Sequence, residues 1–195
     1  MPNFSVGKEI VVESDGRTLN VRHVEAGLLE GVVVRVSGAP EVVPVIVRVQ
    51  SSCILSESFG AVDCDCKGQL DAAIELVAME GGFVVYLLEE GRGAGLRAKL
   101  EAISIQQSQG VDTAAAFSRL GIESDPRDYA EASQVLRYLI DDRPVVLLTN
   151  NPTKASLIRE NGVNVIGTRR LVVVKNELMR EYLDEKARVL GHVIS

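Results

Sequence analysis

The 195 residues are 46% hydrophobic and 25% charged, ordinary proportions for a soluble globular protein, which excludes a disordered chain and fits one substantial core or two small packed lobes. A formal net charge of -6 argues against a nucleic-acid partner, because such binders carry a basic face, yet it leaves room for a local basic pocket around one nucleotide. No apolar run approaches the roughly 18 residues that span a bilayer, and the opening "MPNFSVGKEI" lacks the basic and apolar regions of a leader, so a cytoplasmic chain with no membrane partner is expected.

The first fifty residues read as β. The β-branched runs "GKEIVVES", "RTLNVRHVEA", "EGVVVRVS" and "VVPVIVRVQ" are separated by "DG", "LLEG" and "SGAPE", which predicts a meander of four strands with a tight turn at Asp15 and Gly16. The cysteines follow, all in one cluster at Cys53, Cys64 and Cys66. On an extended segment Cys64 and Cys66, two apart, project from one face, where a single ion could hold both. Soft thiolates suit zinc, and three protein ligands leave a fourth tetrahedral position for water. The competing reading is a set of buried free thiols, and spacing alone leaves the two balanced. An odd number of cysteines in one cluster fits a reducing compartment and makes a disulfide scaffold improbable.

After Cys66 the period becomes helical. Leu70, Ala73, Ile74 and Val77 share a face, and Glu80 to Gly82 end the helix before the strand "FVVYLL". A second helix puts Leu96, Lys99, Leu100 and Ile103 on one face and stops at Gly110; a short one opens at Asp112 or Thr113, and "DYAEASQVLRYLID" is longer. "PVVLL" is a buried strand running into a turn and a helix with Pro152 near its first position. "VNVIG" and "LVVV" are two more strands, and the last helix presents Met179, Tyr182, Leu183, Ala187 and Leu190 as a core or subunit face. With no repeat or linker, residues 1–195 read as one domain of the α+β (mixed α/β) class, β-rich at first and alternating afterwards.

Polar stretches fall where strands end, the usual place for ligands in such sheets. "EEGRGAGL" (89–96) exposes backbone amides beside Arg92 ahead of a helix, a setting that favours an anion; without a ligand it is a glycine-rich turn. "LTNNPTK" (148–154) adds a hydroxyl at Thr149 and a point charge at Lys154, and is otherwise a capped helix start. "SDPRDY" (124–129) places Asp125 and Arg127 two apart, by default a surface ion pair.

Taken in order, "RVQSSC", "DCDCKGQL", "EEGRGAGL", "QGVDTAAAFSRLG", "DPRDY", "LLTNNPTK" and "KARVLGH" resemble GTP cyclohydrolase II, the zinc enzyme that commits GTP to riboflavin. The resemblance implies an α+β protein, usually a homodimer, that releases pyrophosphate from GTP, removes C8 of the purine as formate, and leaves a diaminopyrimidine ribosylamine phosphate. It implies Cys53, Cys64 and Cys66 as ligands of one Zn²⁺ with water as the fourth. Arg48, Gln69, Glu90, Gly91, Arg92, Thr113, Thr149 and Lys154 match GTP contacts, Glu90 as an acceptor for the guanine N1 and 2-amino groups. Asp125 and Arg127 match the proton acceptor and the nucleophile on the α-phosphorus, although a guanidinium suits charge stabilisation better than attack. Mg²⁺ on the triphosphate is implied by the pyrophosphate step.

The chain also departs from the family pattern. The usual first motif has histidine and glutamate where this sequence has Gln50 and Ser52, and a tyrosine regarded as catalytic is Ile103 here, with no tyrosine nearby in sequence to replace it. The expectation is an enzyme that opens the imidazole ring and stops at the 5-formamido pyrimidine ribosylamine monophosphate, because Ile103 cannot do the work of a phenol; one alternative is the complete family reaction with formate release. Another is a silent zinc-stapled nucleotide binder.

Overall fold

The computed structural model describes residues 4–123, 125–173 and 177–193. Among them, eight strands form one mixed sheet. β1 (Phe4–Val6) and β2 (Ile10–Ser14) share one edge of β3 (Arg17–Ala26), which pairs with β4 (Leu29–Val36), all antiparallel. Asp15 and Gly16 both take positive φ in the β2–β3 turn, as the sequence predicts.

The fourth expected meander strand is not part of the meander. β5 (Val45–Ser51) lies beyond β6 (Phe83–Leu87), which inserts between β4 and β5, antiparallel to the first and parallel to the second. The physical reason is burial: Val45 to Gln50 are buried without alternation, which suits a central parallel strand covered on both faces. β7 (Val145–Leu148) and β8 (Val165–Arg169) extend the parallel side. Gly82, just before β6, runs so close to β5 that an added Cβ would sit 1.9 Å from the Ile46 carbonyl oxygen, so only glycine fits there.

Helices cover both faces. Val47, Val49, Phe83 and Val85 point toward α5 (Ala130–Ile140) and α6 (Pro152–Glu160), while Ile46 and Val84 point toward α2 (Cys66–Glu80). This alternation is the period of two expected of strands. α1 (Ile54–Glu57) is a single turn after β5. α3 (Gly95–Gln109) stops at a left-handed Gly110, and Asp112 caps α4 (Thr113–Arg119) by accepting the Ala115 N–H. α3 does not bury the expected face: Leu96 and Leu100 are 39% and 46% exposed, and Ala98 and Ala102 pack instead against Ala116 and Phe117. Small residues let α4 approach closely, and this turns Lys99 and Ile103 toward a cavity. α7 (Glu177–Leu190) buries Met179 and Leu183. Leu171 to Val173 form no strand, and Val174, Ser124 and the side chain of Leu190 lie outside the described residues. No helix among the described residues is long and apolar enough to cross a membrane.

Candidate active site

β5, β6 and β7 run parallel, so Ser51, Leu88 and Thr149 leave the same edge of the sheet. The loops that follow enclose a cavity of about 420 Å³. Its wall holds Cys53, Cys64 and Cys66 together with Arg48, Arg92, Arg127, Lys154 and Lys186.

The three sulfurs lie within 4.8 Å of one another, those of Cys53 and Cys64 at 3.9 Å. Tetrahedral zinc with Zn–S bonds of about 2.3 Å places sulfur pairs about 3.8 Å apart, so the donor set fits that ion. The route to this geometry differs from the extended segment expected. Cys66 is the first residue of α2 and Asp65 its N-cap residue, so a turn brings Cys64 and Cys66 together. Hydrogen bonds from the Cys53 and Cys66 thiols pull the Cys64 thiol down, and the same sharing pushes Cys66 up.

Cys53 is held from two sides. Lys99 Nζ donates to its sulfur at 3.2 Å and to Glu90 Oε2 at 2.7 Å, while Glu90 Oε1 accepts the Ile54 N–H at 2.5 Å. Burial disfavours charge on Lys99, but Glu90 and the Cys53 sulfur more than offset it and raise its pKa. Behind, Glu57 accepts the Cys53 N–H at 3.0 Å, the Tyr86 hydroxyl at 2.5 Å and the Gln50 side-chain amide at 3.1 Å. Gln50 Oε1 in turn accepts two bonds from Arg48, at 2.9 and 2.7 Å. Thus Gln50 ties Arg48 to the carboxylate behind Cys53. Ser52 lines the cavity and donates its N–H to the Leu87 carbonyl.

The cations converge from different elements. Arg48 Nη2 donates to Gln69 Oε1 at 2.6 Å, and Lys154 Nζ donates to the Val49 carbonyl at 3.0 Å. Lys154 and Arg127 both lie against the Tyr129 ring, at 5.0 and 5.3 Å from its centroid. Burial, then the charges of Arg48 and Arg127, press the Lys154 pKa well below its usual range. A cavity crowded with positive charge is suited to an anion.

Asp125 and Arg127 are no surface pair. Arg127 Nε and Nη2 each donate to the Asp125 carboxylate at 2.6 Å, the side chains are 17% and 12% exposed for aspartate and arginine respectively, and Nη1 reaches Ser51 Oγ at 3.1 Å. Burial works to lower the Arg127 pKa, but the bidentate carboxylate outweighs it and holds the guanidinium charged; the same bonds lower Asp125 against its own burial.

Of the residues singled out from sequence, Arg48, Gln69, Gly91, Arg92, Thr113, Thr149, Lys154, Arg127 and the three cysteines line the cavity. Glu90 and Asp125 stand behind it, each gripping a cation that does line it. Ile103 contributes apolar bulk to the wall. Sequence reading missed Tyr182, Glu185, Lys186 and His192, which α7 and its continuation bring to the same wall. Lys186 Nζ lies 4.2 Å from the Tyr182 ring centroid. Lys186 and His192 lie in the closing "KARVLGH" string, but that string does not say which wall they join, and the i, i+4 spacing of Tyr182 and Lys186 reads equally well as a core stripe. Burial, reinforced by Lys186, Arg92 and Lys154, drops the His192 pKa to about 4, so its imidazole is neutral at pH 7.

The family model for GTP cyclohydrolase II matches residues 23–170. The chain belongs to the GTP cyclohydrolase II family. It is therefore a hydrolase, and the mixed fold agrees with that membership. It is 45% identical over 152 residues to the GTP cyclohydrolase-2 of Psychromonas ingrahamii, covering 76% of this chain and 74% of that one. With the GTP cyclohydrolase-2 of Neisseria meningitidis serogroup A it shares 41% over 172 residues, 88% and 86% of the two chains. The riboflavin biosynthesis protein RibBA of Staphylococcus saprophyticus is 40% identical over 148 residues, 76% of this chain and 37% of the longer relative. The family match ends at Arg170, so the α7 wall of this GTP cyclohydrolase II relative lies beyond it.

Proposed function

We propose that this chain hydrolyses GTP, releasing pyrophosphate and opening the imidazole ring at C8, with the 5-formamido pyrimidine ribosylamine monophosphate as its main product. The observation that carries this reading is that a zinc-competent sulfur triad, a cluster of cations and the apolar Ile103 share one cavity. Cys53, Cys64 and Cys66 would hold the zinc, which when bound would supply a Lewis acid able to lower the pKa of water toward about 7. Lys99 and Glu57 fix Cys53, and Glu90 holds Lys99 and the Ile54 N–H, with a lone pair on each oxygen left for the guanine N1 and 2-amino groups.

Arg48, Arg92 and Lys154 bind the triphosphate with its Mg²⁺, assisted by Gln69, the Gly91 backbone, Thr113 and Thr149. Arg127, kept charged by Asp125, has no free electron pair with which to attack, so its role is to stabilise charge on the α-phosphorus as a water molecule adds there, the bond to the bridging oxygen breaks and pyrophosphate leaves, with the monophosphate retained on the ribose. At the base, water adds to C8 and the C8–N9 bond breaks, leaving the formyl group on N7. The same reading takes residues 1–195 as one domain of a cytoplasmic homodimer acting in riboflavin-type chemistry.

Completing the family reaction requires a second hydrolysis, at the formamide. Losing a donor to such an oxyanion costs about 10²- to 10³-fold in rate, and Ile103 supplies none. A second reading, full turnover with formate release, is favoured by Tyr182, whose side chain lines the same cavity. The test is mass spectrometry of the product from the zinc-loaded chain with GTP and Mg²⁺, alongside formate and pyrophosphate yields. Formate well below pyrophosphate is expected. Equal yields overturn the part-way stop, and tightly bound but intact GTP overturns the enzyme reading in favour of a silent binder.

A further inference from the structure

Two of the three cysteines sit on a turn with a buried electrostatic anchor. Asp65 lies between Cys64 and Cys66, its side chain 0% exposed, and its carboxylate accepts from Lys186 Nζ at 2.9 Å and from the Gln69 side-chain amide. Lys186 belongs to α7, 121 residues away in sequence, and its side chain is only 11% exposed. The Asp65 carbonyl also accepts the Gln69 N–H at 2.9 Å, so the same residue begins α2. A buried carboxylate without a counter-charge is strongly unfavourable and turns toward water if the backbone lets it. Any such rotation at Asp65 moves the backbone on both sides, and with it two sulfurs whose distances to an ion tolerate only about 0.2 Å.

We propose that Lys186 is a positioning residue for the metal centre: by neutralising Asp65 it fixes the turn that aims Cys64 and Cys66, so the C-terminal helix sets metal affinity. The inference rests on reading the three cysteines as a zinc site. α7 has independent anchors, since Glu185 accepts the Thr113 N–H at 2.9 Å, Arg188 pairs with Asp112 at 2.6 Å, and Val193 donates to the Asn150 carbonyl at 2.9 Å. Removing the Lys186 charge therefore disturbs the turn before it undocks the helix.

The test measures zinc affinity of the full chain by competition with a chromophoric chelator, and the thiolate-to-metal absorption of the Co²⁺ form, with thermal unfolding as a check on folding. Lys186→Met is expected to weaken zinc binding about 10- to 100-fold, the usual effect of losing a group that orients metal ligands, and to alter the Co²⁺ spectrum. Lys186→Arg should keep most of the affinity. The double variant Asp65→Asn, Lys186→Met should recover most of the loss, because a neutral amide needs no counter-charge. Where Lys186→Met does not fold, the double variant decides: folded with near wild-type affinity supports the inference, and folded with weak affinity overturns it. Unchanged affinity in Lys186→Met, or an equal loss in both variants, overturns the charge-pair role while leaving the zinc site standing. A wild-type chain that takes up no zinc overturns the zinc reading and this inference with it.

Discussion

Arg127 shows how one contact sets a residue's chemistry. Its planar fork meets Asp125 on two nitrogens, which keeps it cationic despite burial and aims the third nitrogen at Ser51 beside the cavity. Arg127→Ala is expected to slow pyrophosphate release about 10²- to 10³-fold with zinc content unchanged, and Arg127→Lys to restore only part, since an ammonium cannot reproduce the fork; unaltered release from folded Arg127→Ala would remove it from the mechanism. Serine in place of Cys53, Cys64 or Cys66 should lower zinc occupancy sharply and abolish ring opening, because serine is a harder ligand that stays protonated at neutral pH; metal analysis beside a GTP assay checks both, and a fully loaded, active variant would contradict the site. Ile103→Tyr should raise the formate-to-pyrophosphate ratio. If formate already equals pyrophosphate in the unaltered chain, Tyr182→Phe should lower that ratio, which would place the second hydrolysis on the phenol from α7. The cysteines, Asp125 and Arg127 were legible because each lies in a short string of fixed spacing. Tyr182 was not, and Lys186, although it opens the "KARVLGH" string, gave no sign of its partner Asp65, because the contacts of α7 are set by helix docking rather than by neighbours in sequence.

At the scale of elements, the site exists because three parallel strands end together. Most of these strands were legible from β-branched runs and turn residues, but their order was not, since β6 comes to lie between β4 and β5 only through burial of both faces of β5. The buried face of α3 was misread for a related reason: the packing of α4 selects Ala98 and Ala102 over the larger leucines. α6 brings Lys154 into the cavity and is capped by Asn151, whose side chain accepts the Lys154 N–H. Asn151→Ala should cost about 1 kcal/mol of stability in denaturant unfolding. Lys154 comes from α6 while Arg48 and Arg127 come from β5 and the loop before α5, and although Asp125 and Glu89 offset part of the repulsion among them, a bound anion relieves it further. Burial and those charges lower the Lys154 pKa in the free protein, and a bound triphosphate raises it again. In the pH window between the two values binding takes up a proton, so affinity falls as pH rises through that window. Calorimetry of GTP binding in buffers of different ionisation enthalpy should detect this uptake, and its absence in Lys154→Met would assign it; equal uptake in that variant would contradict the assignment.

For the molecule as a whole, the sheet supplies a fixed edge, the end of β5 and the turn into α2 bring the sulfur triad, α3 brings its lysine, and α7 closes the wall beyond the stretch matched by the family. Family membership was readable from strings spread over nearly the whole chain, whereas the closed shape of the cavity was not, since it depends on contacts such as Lys186 with Asp65 that no local pattern announces. In the proposed mechanism this cavity opens the purine ring through a metal held by its three cysteines. Purine absorbance and pyrophosphate, followed together in one preparation that is zinc-loaded, then stripped by a chelator, then restored with zinc, decide the matter. Coupled ring opening and pyrophosphate release are expected in the loaded chain, with loss of ring opening on stripping while GTP stays bound, and recovery on restoration. Ring opening at an undiminished rate after zinc is removed, or intact GTP in the loaded chain, would contradict that mechanism.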